Sequence, residues 1–248
     1  MELIEPSLLP WLLALVVLAA VLYSSVGHGG ASGYLAAMAL LGVAPLLMKP
    51  AALAMNIVVT ALVTARLYRA GYLRWEIFWP FALGSVPMAY LGGGIQLAAP
   101  IYKYVVGVAL LTAAARLWFK SRGPESLTPP KTWVALPTGA VLGYVSGLTG
   151  VGGGIFLSPL LLFLGWADVR TTAAVSAAFI LVNSLAGLGG YWASGPIWSP
   201  DLPLLMGAAL AGAWLGSELA LRRLAPLALK RTLGVVLVIA GCKMLLTA

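Results

Sequence analysis

Residues 146–154 read SGLTGVGGG, and residues 24–33 read SSVGHGGASG. A shift of 123 positions places Gly27-His28-Gly29-Gly30 on Gly150-Val151-Gly152-Gly153. Self-similarity over such a distance indicates an internal repeat. The sequence therefore predicts two related halves, residues 1–119 and 133–248, joined by a polar linker at 120–132. The same shift carries other residues of the first half onto identical ones of the second, among them Tyr68 onto Tyr191, Trp75 onto Trp198 and Gly93 onto Gly216.

The composition places both halves in a lipid bilayer. Hydrophobic residues make up 61% of the 248 residues and charged residues only 9%, whereas soluble domains carry about 25% charged residues. The net charge of +8 is expected on cytoplasmic loops of such a chain, not at a nucleic-acid site. Cys242 is the one cysteine, which excludes an internal disulfide and a cysteine-cluster metal site. We expect neither a metal nor a cofactor.

Glycine, proline and charged residues divide the chain into ten apolar segments. Long runs of Leu, Ala and Val favour helices over the alternating strands of a membrane barrel. The predicted fold class is therefore an all-α polytopic membrane protein with eight to ten spans in one integral membrane domain. The segments cover residues 8–26, 31–48, 50–66, 77–97, 100–118, 133–150, 154–167, 171–192, 202–221 and 227–246.

The basic residues predict the orientation of the chain. Twelve of the fifteen Lys and Arg lie in or beside the loops that follow segments three, five, seven and nine, and the positive-inside rule makes these loops, with the linker, cytoplasmic. The loop at 66–76 carries three arginines, but its repeat counterpart at 189–199 carries no Lys or Arg. Equivalent loops are therefore predicted on opposite sides. This makes the halves inverted repeats with both termini external, either as five full spans each or as three spans and a re-entrant hairpin.

The two glycine stretches are predicted to be broken helical hairpins that meet near the midplane. Neither is flanked by charge, and polar backbone inside a bilayer must be buried in protein or face a wet cavity. A helix N-terminus offers unpaired N–H groups and a positive dipole end, and glycine lets a ligand approach them. Two such termini would form a compact anion site. The alternative is close helix packing through small residues.

The candidate substrate-binding residues are the glycines of both stretches and the hydroxyl, imidazole and amide side chains near them. They are Ser25, Gly27, His28, Gly29, Gly30, Ser32, Asn56, Thr60, Ser146, Thr149, Gly150, Gly152, Gly153, Gly154, Asn183 and Ser184, with Ser158 as a further hydroxyl. The repeat aligns Thr60 with Asn183.

Two titratable residues are candidates for coupling transport to a proton, with sodium as the other candidate coupling ion. His28 is the only histidine, and histidine titrates near neutral pH. The alternative is a histidine that only hydrogen-bonds the hairpin backbone. Glu218 lies near the cytoplasmic end of segment nine, four residues before Arg222. An ion pair between these two side chains is therefore the alternative to proton coupling.

The second glycine stretch carries a family resemblance. Residues 150–161, GVGGGIFLSPLL, preceded by SG at 146–147, resemble the glycine signature of the TauE/SafE sulfite and sulfonate exporter family. Residues 27–34, GHGGASGY, resemble its weaker N-terminal version, with His28 and Ala31 interrupting the pattern. The resemblance extends over the whole chain in length, two-fold repeat and central polar loop. It implies a bacterial-type plasma-membrane permease for small sulfur-containing anions such as sulfite, thiosulfate or sulfoacetate.

The leading hypothesis is a secondary transporter of a small anion that works by alternating access, and not an enzyme. No nucleotide-binding motif is present, which disfavours ATP hydrolysis. The alternatives are an anion channel, a permease for an unrelated small solute, and a non-transporting membrane subunit or receptor. An intramembrane serine protease is disfavoured, because Ser32 would have only His28 as its base, four residues away across glycines.

Overall fold

The computed structural model describes residues 5–25, 27–118, 127–195, 197–222 and 227–248, without the side chains of 116–118, 219–222, 227–234 and 236. Residues 120–126 of the predicted linker and the basic side chains between 222 and 231 lie outside this description. The described residues form ten α-helices and no strand, which confirms the all-α class. The helices are α1 (Leu9–Ser24), α2 (Ala31–Leu41), α3 (Pro45–Arg69), α4 (Trp75–Gly94), α5 (Ala99–Trp118), α6 (Thr132–Thr149), α7 (Gly154–Phe163), α8 (Val169–Ala193), α9 (Leu202–Arg222) and α10 (Leu227–Leu246).

The helices follow the ten predicted segments, with one internal boundary wrong. The prediction placed a break at Lys49, but α2 ends at Leu41 and α3 contains both Lys49 and Pro50. Gly42 ends α2 with a φ of +82° and hydrogen bonds back into its last turn, as glycine commonly does at helix ends. α3 continues through Pro50, and helices of membrane proteins tolerate an internal proline where neighbouring groups satisfy the freed carbonyl.

Helix length separates two long helices from two short ones. α3 and α8 have 25 residues each and, among the described helices, are the two that are long and apolar enough by themselves to cross a membrane. α2 has 11 residues and α7 has 10, so at 1.5 Å per residue each reaches roughly 15 Å. That is about half of a 30 Å hydrocarbon core. α7 is short as predicted, and α2 is shorter than predicted. Both follow directly after a glycine stretch.

The main helix contacts join the first half of the chain to the second. α4 packs on α6 and α8, and α9 packs on α1 and α3. The repeat pairs α1 with α6, α3 with α8 and α4 with α9. Under this pairing, the contacts of α4 with α6 and α8 correspond to the contacts of α9 with α1 and α3. α3 also packs on α8, and α5 on α10. The two halves are therefore interlocked through their helices.

Glycines allow these crossings to be close. On α6, a Cβ at Gly139, Gly143 or Gly147 would lie 2.2–2.3 Å from a carbonyl oxygen of α4. On α9, a Cβ at Gly212 or Gly216 would lie 2.5 or 2.2 Å from a carbonyl oxygen of α1. Backbones that approach so closely need residues without side chains, as is common between membrane helices.

Side-chain contacts gather the loops at two ends of the helix bundle. At one end, which we call the arginine end, Arg66 donates to the Ser217 hydroxyl at 2.8 Å, and Arg170 donates to the Tyr72 hydroxyl at 2.8 Å. The Thr128 N–H donates to Gly165 O there at 2.9 Å. The loops after α3, before α6 and after α7 therefore lie together with the C-terminal part of α9.

The other end, which we call the lysine end, is held by a second group of contacts. Lys103 Nζ donates to Thr247 O at 2.6 Å, and Lys243 Nζ donates to Leu40 O at 2.8 Å. Four segments meet at this end: the loop after α2, the loop after α4, the loop after α8 and the C-terminus of the chain. Gln96 Nε2 in the loop after α4 lies 3.5 Å from Ser194 O, which follows α8. α3 runs from the lysine end to the arginine end, and α8 runs in the opposite direction.

Candidate functional site

The first glycine stretch forms a buried turn between α1 and α2. Gly27 and Gly30 have φ angles of +77° and +104°, which glycine adopts without strain. The His28 N–H donates to Tyr23 O at 2.9 Å, and the Tyr34 hydroxyl donates to Gly29 O at 2.8 Å. No side chain caps the N-terminus of α2, so its first N–H groups face the turn.

The second glycine stretch repeats this arrangement between α6 and α7. Gly150, Gly152 and Gly153 all have φ angles between +77° and +86°. The Thr149 hydroxyl donates to Val145 O at 2.7 Å and accepts from the Val151 N–H at 3.2 Å. Gly153 is the N-cap of α7 and, like Gly30, provides no side-chain cap. Each half thus ends a helix, turns through glycines and starts a short helix with an uncapped N-terminus.

Asn56 lies between the two stretches. Its Nδ2 is 3.5 Å from Val151 O and 3.4 Å from Ser184 Oγ. Its Oδ1 adjoins the first stretch, because a Cβ at Gly29 would lie 2.5 Å from this oxygen. Its Nδ2 adjoins the second stretch, because a Cβ at Gly152 would lie 2.7 Å from this nitrogen. Asn56 is fully buried. One carboxamide on α3 therefore touches both predicted hairpins.

A chain of buried polar side chains connects His28 to the second half. His28 Nε2 lies 2.7 Å from Ser158 Oγ, which lies 2.7 Å from Ser176 Oγ. Ser158 Oγ also lies 2.8 Å from Gly154 O, a carbonyl to which the hydroxyl can donate. The direction of the hydrogen bond between His28 and Ser158 depends on the tautomer of the imidazole ring. The only histidine thus forms a hydrogen bond across the boundary between the halves.

Several predicted hydroxyls bond within their own half. Ser25 donates to Leu22 O at 2.7 Å, Ser32 to the Tyr23 hydroxyl at 2.5 Å, and Thr60 to Asn56 O at 2.7 Å. The structure also changes the repeat alignment of Thr60. A Cβ at Gly29 would meet Thr60, whereas one at Gly152 would meet Ser184, so Ser184 occupies the position equivalent to Thr60, in place of Asn183.

Three predicted residues have buried polar atoms without a partner in the described part of the chain. They are Oγ of Ser146, Oδ1 of Asn56 and both amide atoms of Asn183. Leaving such a group unsatisfied costs about 1–3 kcal/mol. Ser146 lies next to the second stretch, since its Cβ is 3.3 Å from the position of a Cβ at Gly153. A polar ligand at the second glycine stretch would therefore find an unsatisfied hydroxyl beside it.

Glu218 does not join the glycine stretches. Its carboxylate lies 3.5 Å from Arg66 Nη1 at the arginine end, and its side chain is 46% exposed. Arg66 is ten residues beyond Asn56 on α3, or roughly 15 Å along the helix. The side chain of Arg222, the predicted partner, lies outside the described residues.

The sequence interpretation missed three residues beside the site. Ser176 extends the hydrogen-bond chain from His28, and the Tyr102 hydroxyl on α5 donates to Thr149 O at 3.1 Å. Lys49 is buried in α3 but was predicted to be a loop residue. A lysine among apolar residues is a signal of function in a membrane protein, but the adjacent Pro50 favoured a loop. In the described part of the chain, no cluster of three or more His, Cys, Asp or Glu is placed to hold a metal ion.

Comparison with known proteins gives one matching family and a similar curated protein. The family described as "Sulfite exporter TauE/SafE" matches residues 12–244. The "Probable membrane transporter protein y4hK" of Sinorhizobium fredii (strain NBRC 101917 / NGR234) is 41% identical over 231 residues, which cover 91% of this chain and 94% of the relative. No solved structure matches the chain significantly.

Proposed function

The chain belongs to the sulfite exporter TauE/SafE family, and from this premise we propose that it is a secondary transporter of a small sulfur-containing anion. Membership and the transporter relative indicate an integral membrane transporter. The proposed substrates are sulfite, thiosulfate, sulfoacetate or a similar anion, and the proposed location is a bacterial inner membrane. The anion would bind where the two glycine stretches meet.

The contact of both stretches with Asn56 is the observation that carries this proposal. The two uncapped helix N-termini and the Asn56 amide N–H groups are donors, and the imidazole of His28 lies in the first glycine stretch beside them. The six helices that surround them, α1, α2, α3, α6, α7 and α8, contain no Asp or Glu. A site rich in donors and free of carboxylates favours an anion over a cation.

Alternating access between inverted repeats is the proposed mechanism. The antiparallel course of α3 and α8, and the gathering of the predicted cytoplasmic loops at the arginine end, support an inverted arrangement. With that end cytoplasmic, both termini would be external. In many transporters of this kind the substrate binds near the midplane, at broken helices where the repeats meet.

His28 is the proposed proton-coupling residue, in preference to Glu218. It is buried beside the first glycine stretch and bonds to Ser158 in the other half, so a change in its charge would act on both halves. Glu218 is half exposed and pairs with Arg66 at the end of the bundle. Sodium remains the alternative coupling ion.

Ligand-induced thermal stabilisation of the purified protein tests this proposal. The panel is sulfite, thiosulfate, sulfate, sulfoacetate, taurine and chloride, each at several concentrations. A ligand that binds only the folded protein stabilises it by about 2.7 kcal/mol at one hundred times its Kd. We expect a concentration-dependent shift with a sulfur oxyanion or with a sulfonate of net negative charge such as sulfoacetate, and no such shift with zwitterionic taurine or with chloride.

Gly152→Ala is the test variant, and Gly207→Ala is its matched control. A Cβ at Gly152 would meet Ile180 and Asn56, whereas one at Gly207 would meet nothing within 4 Å. The shift should disappear in the first variant and persist in the second. Flux into proteoliposomes then separates a transporter from a channel, because a channel would pass the anion without saturating at low concentration. Equal shifts with all anions, or none, would remove the sulfur-anion proposal.

A further inference from the structure

Lys49 is a buried cation near the lysine end of α3. Only 6% of the residue is exposed. Its Nζ donates to Gly92 O at 3.2 Å, to Gly93 O at 2.7 Å and to Ile95 O at 2.9 Å. These carbonyls end α4, where the helix dipole is equivalent to about half a negative charge. Since neither ion pair in the described residues involves Lys49, its positive charge is only partly balanced.

A cavity of about 180 Å³ lies beside this ammonium group. Lys49, Gln96, Tyr102 and Tyr191 are among its lining residues, and none of the lining residues is acidic. The cavity is partly open, and both Ile95 and Gln96 on its wall are exposed. It therefore joins the surface of the lysine end to a buried positive charge.

The inner wall of the cavity adjoins the second glycine stretch. Tyr102, a lining residue, donates its hydroxyl proton to Thr149 O at 3.1 Å. A Cβ at Gly150 would lie 3.1 Å from Lys49 O. Tyr102 and Lys49 therefore line the cavity and also adjoin the turn of the second glycine stretch.

We propose that this cavity is an anion vestibule, in which Lys49 attracts a small oxyanion or sulfonate from the lysine end toward the second glycine stretch. The proposal rests on the proposed function for the destination of the anion. The charge preference of the cavity itself does not depend on that function and can be measured alone.

Helix capping alone does not explain Lys49. Burying an ammonium group without a carboxylate partner is costly, and a neutral side chain or a glycine turn would satisfy the α4 carbonyls without that cost. A cap also needs no cavity beside it. A cation that lines an opening free of carboxylates raises the local concentration of anions instead.

Thiol modification measures the charge preference directly. Cys242 is exposed and is first replaced in a Cys242→Ser parent. Gln96→Cys then places one thiol on the cavity wall, and Leu127→Cys places one at the arginine end as a matched control, since Leu127 is 51% exposed. Each is treated with anionic sulfonatoethyl and with cationic trimethylammonioethyl methanethiosulfonate, and the ratio of the two rates is compared between Lys49 and Lys49→Met backgrounds.

We expect Lys49→Met to lower the anion-to-cation rate ratio at position 96 by roughly five- to tenfold. The decrease arises because the substitution removes one unit charge that acts on the reagent over several ångströms, along a largely aqueous path. Lys49→Arg should preserve the ratio, and position 127 should not respond. The ratio should also fall at high salt in the Lys49 protein, a measurement that holds even where Lys49→Met fails to fold. Sulfoacetate should slow modification at position 96 by the anionic reagent.

An unchanged ratio at position 96, together with no salt dependence, would overturn the vestibule. A ratio that falls as expected in a protein that transports no sulfur anion would keep the vestibule and remove the proposed substrate. The two proposals therefore fail by different results.

Discussion

Substitution of Gly29 by alanine tests whether the first glycine stretch and Asn56 act as one unit. Gly29 has an ordinary φ, so the change introduces no backbone strain. The new Cβ would lie 2.5 Å from Asn56 Oδ1 and 2.8 Å from Thr60 Cγ2. Overpacking of this kind costs about 1–3 kcal/mol, which corresponds to a fall in Tm of roughly 2–12 °C for a chain of this size.

The same substitution should weaken anion binding. The added methyl displaces the Asn56 carboxamide from its place between the two stretches. Loss of one hydrogen bond to a charged ligand costs about 1.5–3 kcal/mol, or roughly a 10- to 150-fold rise in Kd. Calorimetric titration with the anion selected by thermal stabilisation measures that Kd. Gly207→Ala, whose methyl meets nothing within 4 Å, should leave both quantities unchanged.

A double-mutant cycle with Asn56→Ala tests whether the Gly29→Ala effect arises from the contact with the Asn56 side chain. If the Gly29→Ala penalty arises from the Asn56 side chain, it should shrink by about 1 kcal/mol in the Asn56→Ala background, within the range of coupling seen for residues in contact. The Thr60 methyl remains, so the relief is partial. Binding should stay weak in the double variant. Equal penalties in both backgrounds, or full binding in Gly29→Ala, would refute the reasoning.

Three further predictions concern packing, a helix cap and the histidine. Gly143→Ala places a Cβ 2.2 Å from a backbone carbonyl oxygen of α4 that cannot rotate away, so we expect a larger fall in Tm than for Gly29→Ala, with substrate selectivity unchanged in the thermal-shift panel. Asp168→Ala removes the N-cap of α8 and should cost about 0.5–2 kcal/mol at neutral pH. Partial burial raises the pKa of Asp168, but hydrogen bonds from Thr171 and Arg170 outweigh it and hold that pKa below 3.8. Since the folded pKa is lowered, the stabilisation is complete above the ordinary pKa and is lost as pH falls through the folded value, so the Tm difference between the two proteins should shrink in acid. His28→Gln keeps an N–H donor but cannot titrate, so proteoliposome uptake should continue while losing its dependence on pH between about pH 5 and 8; pH dependence equal to that of the unaltered protein would exclude His28 as the proton carrier.

The helices could be predicted closely from the sequence because apolar runs and their glycine, proline and charged boundaries are local signals. The error at Lys49 has a physical cause. A lysine followed by proline is a loop signal in water, whereas inside a membrane protein the lysine can bond to carbonyls of another helix, and neighbouring helices compensate for the proline. Only the tertiary structure provides the α4 carbonyls that make Lys49 a helical residue.

The candidate site was predictable in its glycines and less so in its side chains. Repeat symmetry pointed to both stretches, but it could not indicate that Asn56 touches both of them, because that contact depends on the crossing of α3 and α8. Nor could it separate two roles of glycine. Gly152 has a left-handed φ at a turn, whereas Gly143 is helical and contacts a carbonyl of α4. Gly143 therefore serves helix packing, whereas anion binding at Gly152 stays a prediction.

The interlocked halves limit how a transport cycle can move this molecule. Helices pack in one continuous series, α6, α4, α8, α3, α9 and α1, and glycines hold the outer crossings of α4 with α6 and of α9 with α1 at backbone contact. Separating residues 1–119 from 133–248 as rigid bodies would break every crossing between them. In the described part of the chain, α5 and α10 pack mainly on each other, and α2 contacts both. We therefore expect the proposed alternating access to move the α5–α10 pair against the six-helix series, with the glycine stretches and the short helices α2 and α7 at the boundary. Tyr102 on α5 bonds to Thr149 beside the second stretch, so that motion would act directly on the residues proposed to hold the anion.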